Sequence, residues 1–111
     1  MNTRGQHLLL DVWYDQDIDT VVGDICELVR NTFNVVETAV HRFEPQGMTL
    51  VYILSESHFT IHTYPEHNYL SMDLYICNPE YDLAGFGDTL VNLVKPVHYN
   101  AALDVRGVRE A

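Results

Sequence analysis

Apolar residues recur along this chain with two spacings. From Gln6 to Tyr14, QHLLLDVWY is rich in apolar and aromatic residues and gives way to DQD, which predicts a strand followed by a helix that starts at an N-cap Asp17. In DIDTVVGDICELVRNTF, residues Ile18, Val21, Val22, Ile25, Leu28 and Val29, then Thr32 or Phe33, recur every three or four positions. That is the period of a helix with one buried stripe, and it turns Asp19, Asp24, Glu27 and Arg30 toward water. Two strands follow, Val35 to Phe43 and Met48 to Ser55, joined by EPQG, where Pro45 and Gly47 mark a turn. Two more, His58 to Tyr64 and Leu70 to Cys77, flank PEHN. A second helix fits Asp82 to Val94, with Leu83, Phe86, Leu90, Leu93 and Val94 on one stripe and a stop at Pro96, and VHYNAALDV predicts a last strand.

The predicted order is therefore β, α, β, β, β, β, α, β. Helices with a single apolar stripe need a sheet to lie on, so the fold class is α+β, a two-layer α/β sandwich with two helices packed on one face of an antiparallel-rich sheet. The other face is left open to solvent, a ligand or a partner subunit. At 111 residues, 47% of them hydrophobic and 20% charged, residues 1–111 read as one globular domain. Sixteen acidic against six basic residues, a formal charge of −10, exclude a nucleic-acid partner, which needs clustered cations, and disfavour an anionic membrane. Two cysteines, Cys26 and Cys77, are too few for a disulfide framework, so both are expected as free thiols. The early apolar run is too short for a signal peptide and no stretch is long enough to span a membrane, so the expected location is the cytoplasm.

Candidate chemistry concentrates in LSESHFTIHTYPEH, Leu54 to His67. Side chains alternate across a strand, so His58, Thr60, His62 and Tyr64 share one face, while Phe59 and Ile61 belong to the core with Leu70, Met72, Leu74 and Ile76. Matching like face to like face restricts the hairpin to registers with odd index sums. The one that sets Tyr64 opposite Ser71 places His62 opposite Asp73 and His58 opposite Cys77, and gathers Ser57, His58, His62, Asp73 and Cys77 into one cluster on the open face; other odd sums stay open. Plain readings compete with this one: Cys77 as a small packing residue, the serines as turn residues, Asp73 as a histidine's partner. A zinc site of His58, His62 and Cys77 is disfavoured, because four residues along a strand separate the two imidazoles by about 13 Å. A Ser-His-Asp hydrolase lacks a G-x-S-x-G elbow.

SESHFTIHTYPEHNYLSMDLYIC resembles the processing and active-site segment of the small prokaryotic type of S-adenosylmethionine decarboxylase, a pyruvoyl enzyme, and GQHLLLDVWY and HRFEPQGMTLVYILSESH resemble that family's opening strand and central hairpin. The resemblance implies self-cleavage between Glu56 and Ser57 into a β chain of residues 1–56 and an α chain of residues 57–111. Ser57 would become the pyruvoyl group, which forms a Schiff base with the substrate amine and takes up the electrons released with carbon dioxide. It assigns His62 to proton transfer in processing, Thr49, where serine is usual, to processing assistance, and Cys77 to proton donation in decarboxylation. Phe43 and Tyr64, the latter in place of a frequent tryptophan, would hold the adenine and Glu66 the ribose hydroxyls; Asp11 stands where glutamate is common. No metal is implied. S-adenosylmethionine is the implied substrate, on a route to spermidine, and the implied assembly is a homodimer. Phages also carry members of the family, so a phage-encoded chain acting in a bacterial host fits. The rivals are the same chemistry on ornithine or arginine, and a non-processing homologue that binds or regulates.

Overall fold

The computed structural model describes residues 4–109. Among the described residues, six strands and two helices follow one another as β1 (Gly5–Trp13), α1 (Ile18–Thr32), β2 (Val35–Arg42), β3 (Met48–Leu54), β4 (Ser57–Tyr64), β5 (Tyr69–Ile76), α2 (Leu83–Val94) and β6 (His98–Arg106), with a 3-10 turn at Pro65–His67. The order is the one that the hydrophobic pattern predicts. All pairings are antiparallel and the strands lie in the order β2-β3-β4-β5-β1-β6, so the first strand is inserted between β5 and the last.

Both helices start at an aspartate whose carboxylate accepts a backbone N–H of the first turn: Asp17 from Thr20 at 3.1 Å and Asp82 from Gly85 at 3.0 Å. Replacing Asp17 with alanine is expected to lower stability by about 1 kcal/mol, read from denaturant midpoints at unchanged slope. From α1, Val21, Ile25, Cys26 and Val29 are buried, and from α2, Leu83, Phe86, Leu90 and Val94. They meet Leu8, Leu10 and Val12 of β1, Phe59 and Ile61 of β4, and Leu70, Met72, Leu74 and Ile76 of β5. Leu93, expected on the buried stripe, is instead 42% exposed, because it faces the surface groove between the two helices, beside Asp24, Glu27, Leu28 and Asn31 of α1. Two helices about 10 Å wide cannot roof six strands at roughly 4.8 Å each, so the edge strands β2 and β6 are exposed almost throughout. Among the described residues, no helix is long and apolar enough to cross a membrane.

The β4–β5 register differs from the expected one by two residues. Tyr64 pairs with Tyr69, His62 with Ser71, Thr60 with Asp73 and His58 with Tyr75. The connection is shorter than the sequence pattern implied: Pro65 opens a one-turn 3-10 helix, Asn68 takes a left-handed backbone (φ 48°), and its N–H closes the turn on the Pro65 carbonyl at 3.2 Å. Both strands therefore run on to a stacked pair of tyrosines, with ring centroids 5.3 Å apart.

The open face is a grid of cross-strand rows. His58, Tyr75 and His7 form one, Thr60, Asp73 and Leu9 the next, then Thr49, His62, Ser71 and Asp11, and finally Tyr64, Tyr69, Trp13 and His98.

Candidate active site

Ser57 opens β4 at the end of the sheet. The β3–β4 hairpin turns through Ser55 and Glu56, and Glu56 has a left-handed backbone (φ 63°), uncommon for a residue with a side chain. Asn34 holds the turn from outside: its side chain donates to Ser55 Oγ at 3.1 Å and its carbonyl accepts the Ser55 N–H at 3.3 Å. The Cys77 N–H donates to Ser57 Oγ at 3.2 Å. Ser57 and Cys77 are thus neighbours, as expected, although not through a His58–Cys77 pair. They line a cleft of about 200 Å³ with Glu56, Asn34, Phe33 and Tyr81. Cys77 is exposed, whereas Cys26 is buried beneath α1, and burial pushes the Cys26 thiol pKa up. Of the two thiols only Cys77 is accessible for chemistry.

The expected five-residue cluster is split. His62 lies five residues along β4 from Ser57, roughly 17 Å at the rise of a strand, and its Nδ1 is 2.8 Å from Thr49 Oγ1. Asp73, expected opposite His62, instead joins His58 and His7: its Oδ2 lies 2.7 Å from His7 Nε2 and 3.2 Å from His58 Nε2. The two-residue register shift moves Asp73, whereas the separation of His62 from Ser57 is fixed along β4 itself and holds in any β4–β5 register. These three side chains bring their donor atoms within 4.8 Å of one another. The guanidinium of Arg106, which can only donate, stands 3.4 Å from His7 Nδ1. Taken as a hydrogen bond, that contact assigns the acceptor role to Nδ1 and the proton to Nε2, facing Asp73. A metal at Nε2 would need the reverse, a proton-bearing Nδ1 facing an acceptor, so the cluster suits a hydrogen-bonded hub better than a ligand set. The set His58, His62 and Cys77 is dispersed.

The other candidate groups lie at the His62 end. Tyr64 follows His62 by two residues on the same face, and Glu66 sits in the 3-10 turn beyond it. Phe43 continues β2 in register, its N–H donating to the Gly47 carbonyl at 2.9 Å, and its ring packs against His41 with centroids 4.6 Å apart. Extending the β3–β4 register by one pair sets Gly47 between Phe43 and Tyr64. Gly47, read from sequence only as a turn residue, has φ 101° and leaves this place in the row without a side chain. Phe43 and Tyr64, each nearly half exposed, therefore flank a slot about two strand spacings wide, roughly 9.6 Å. A planar ring seated there lies near 4.8 Å from each wall, within the range of stacked aromatics.

Sequence reading also missed His7, Tyr69 and Trp13. The signal was present in QHLLLDVWY, where odd positions His7, Leu9, Asp11 and Trp13 face outward and even positions Leu8, Leu10 and Val12 are buried. Leu9 masks the alternation.

A family model described as S-adenosylmethionine decarboxylase matches residues 7–107. The S-adenosylmethionine decarboxylase proenzyme of Geobacillus kaustophilus is 41% identical over 83 residues, covering 69% of this chain and 67% of the relative. That of Shouchella clausii is 40% identical over 91 residues, covering 74% and 68%. The crystal structure of the adenosylmethionine decarboxylase from Aquifex aeolicus superposes with a TM-score of 0.76 at 29% identity, covering 99% of this chain and 96% of that one.

Proposed function

The chain belongs to the S-adenosylmethionine decarboxylase family, and from that premise we propose that it is a self-processing decarboxylase of S-adenosylmethionine whose sites are completed by a second copy. The observation that carries the reading is the placement of Ser57, directly after a left-handed Glu56 and in hydrogen-bond contact with the backbone of Cys77.

In processing, the Ser57 hydroxyl adds to the Glu56 carbonyl and expels the Ser57 amine, turning the amide into an ester. The Cys77 N–H fixes the Oγ position and offsets negative charge as the hydroxyl proton leaves. Cleavage also releases the left-handed constraint at Glu56, which for a residue with a Cβ costs on the order of 1 kcal/mol. Loss of the Ser57 Cα proton then expels the Glu56 carboxylate. Hydrolysis of the resulting dehydroalanine gives ammonia and the pyruvoyl terminus of the chain 57–111, which stays in the sheet through the pairing of β4 with β3. The pyruvoyl group supplies an electrophilic carbonyl and an electron sink for the departing carboxylate's electrons.

His62 suits the proton transfers of processing, since Thr49 engages one ring nitrogen and leaves the other free. It is too far from its own Ser57 to reach it. Pairing two copies so that the Ser57–Cys77 end of one protomer meets the His62 end of the other brings the parts together and gives a homodimer with composite sites. The slot between Phe43 and Tyr64 takes the adenine, Glu66 the ribose hydroxyls, and the negative field of the chain favours the sulfonium cation. Cys77, exposed beside Ser57, returns a proton to the substrate carbon once carbon dioxide has left. The reaction takes place in the cytoplasm.

The test is release of labelled carbon dioxide from carboxyl-labelled S-adenosylmethionine, ornithine and arginine by freshly purified protein. Turnover of the nucleoside alone is the expected result. Turnover of ornithine or arginine in its place would overturn the substrate assignment.

A further inference from the structure

Tyr64 has an unusual support. A tyrosine ring offers a modest stacking area, and on an exposed strand end a lone tyrosine would sample several rotamers. Here its ring is stacked on Tyr69, the cross-strand neighbour, at 5.3 Å and 22°. Tyr69 is stacked in turn on Trp13 of β1 at 4.9 Å and 29°, and Trp13 tilts against His98 of β6 at 5.2 Å. The four rings occupy consecutive strands of one row. Within it Tyr69 is pinned at its far end as well, because its hydroxyl donates to Asp11 Oδ1 at 2.6 Å, a short bond to a carboxylate. Burial first, and then this bond to Asp11, raise the Tyr69 pKa, so the hydroxyl keeps its proton and the bond persists through the neutral range.

We infer that Tyr69, locked by Asp11 and backed by Trp13, is the positioning residue for Tyr64 and thereby sets the width of the slot that Gly47 leaves open for a planar purine base. The inference rests on the reading of Tyr64 as an adenine wall. Tyr69 itself does not touch the ligand: Tyr64 stands between it and the slot. With Tyr64 held on one side only, its free face is presented parallel to the incoming base and little rotamer freedom remains to be lost on binding.

The experiment measures steady-state kinetics with S-adenosylmethionine and, independently of turnover, the dissociation constant of adenosine by intrinsic fluorescence. Tyr69→Leu removes both the stack and the lock. It is expected to raise KM and the adenosine dissociation constant roughly tenfold, with kcat within about twofold of the parent and cleavage at Ser57 complete, the effect of losing one aromatic stack. Tyr69→Phe keeps the ring but frees it, and should raise both constants by about two- to threefold. Asp11→Ala should match Tyr69→Phe, and the double variant should add nothing further, as for two groups acting through one bond. Should Tyr69→Leu fail to fold, the Tyr69→Phe and Asp11→Ala pair decides the matter. Unchanged constants in Tyr69→Leu, or in that pair, would overturn the inference. Tyr64→Leu separates the two levels: if it too leaves adenosine binding unchanged, the adenine-wall reading has failed, whereas a loss in Tyr64→Leu without one at Tyr69 defeats only the positioning role.

Discussion

Replacing Ser57 with alanine leaves one uncut chain of 111 residues and no measurable decarboxylation. The alanine removes the only atom able to add to the Glu56 carbonyl from the next residue, so neither the ester nor anything after it forms. The fold tolerates the change, because Ser57 is half-buried at a strand end and the hydrogen bond lost is the one from the Cys77 N–H, which lies where water can replace it. Circular dichroism and thermal midpoint should therefore match the parent within a few degrees, on the order expected for loss of a single hydrogen bond. Cys77→Ala provides the contrast. Its backbone N–H is retained, so cleavage proceeds, while the proton donor for the product carbon is gone and turnover falls by roughly a hundredfold or more. A cut chain in Ser57→Ala, seen as two bands under denaturing conditions, would contradict the mechanism. Full turnover in Cys77→Ala would remove the donor assignment.

If two copies share each site, two inactive variants should complement one another. Expressed alone, Ser57→Ala has no group to convert and His62→Ala lacks the imidazole that serves processing, so both are expected to remain uncut and inactive. Expressed together, mixed dimers carry one complete site, formed by Ser57 of the His62→Ala chain and His62 of the Ser57→Ala chain. With random pairing half of the dimers are mixed, and about a quarter of the parent's sites are restored. Only the His62→Ala chain should be cut, which its mass identifies. The expectation follows from the five-position offset along an extended strand from Ser57 to His62 of the same chain, a separation that side-chain rotation cannot close. Failure of the mixture, with both partners soluble and co-purifying, would mean that each site is built within one chain.

Element order, the two buried stripes and the parity of β4 and β5 were legible in the sequence because they depend on local periodicity. Register was not. Whether Tyr64 meets Tyr69 or Ser71 depends on how tightly Pro65–Asn68 turns, and the left-handed Asn68 that closes it has no counterpart in an apolar pattern. The register difference passed directly into the site, where Asp73 moved from His62 to His58 and His7; the contact of His62 with Thr49 belongs to the separate β3–β4 pairing. Ser57 and Cys77 survived the difference as neighbours because both lie at strand ends, where the Ser55–Glu56 hairpin and the chain leaving β5 converge. The slot proposed for adenine was half legible. Its walls came from the family resemblance, but the gap between them is a missing side chain at Gly47, and Tyr69, which supports Tyr64, is itself backed by Trp13 of β1, more than fifty residues away in sequence.

The most direct test of the central claim is the intact mass of freshly purified parent protein under denaturing conditions. Two chains are expected, dividing between Glu56 and Ser57, the C-terminal one lighter than a serine start requires by the difference between a serine and a pyruvoyl terminus. A single chain of full mass that stays uncut on incubation would contradict the claim and leave a family member that binds without processing.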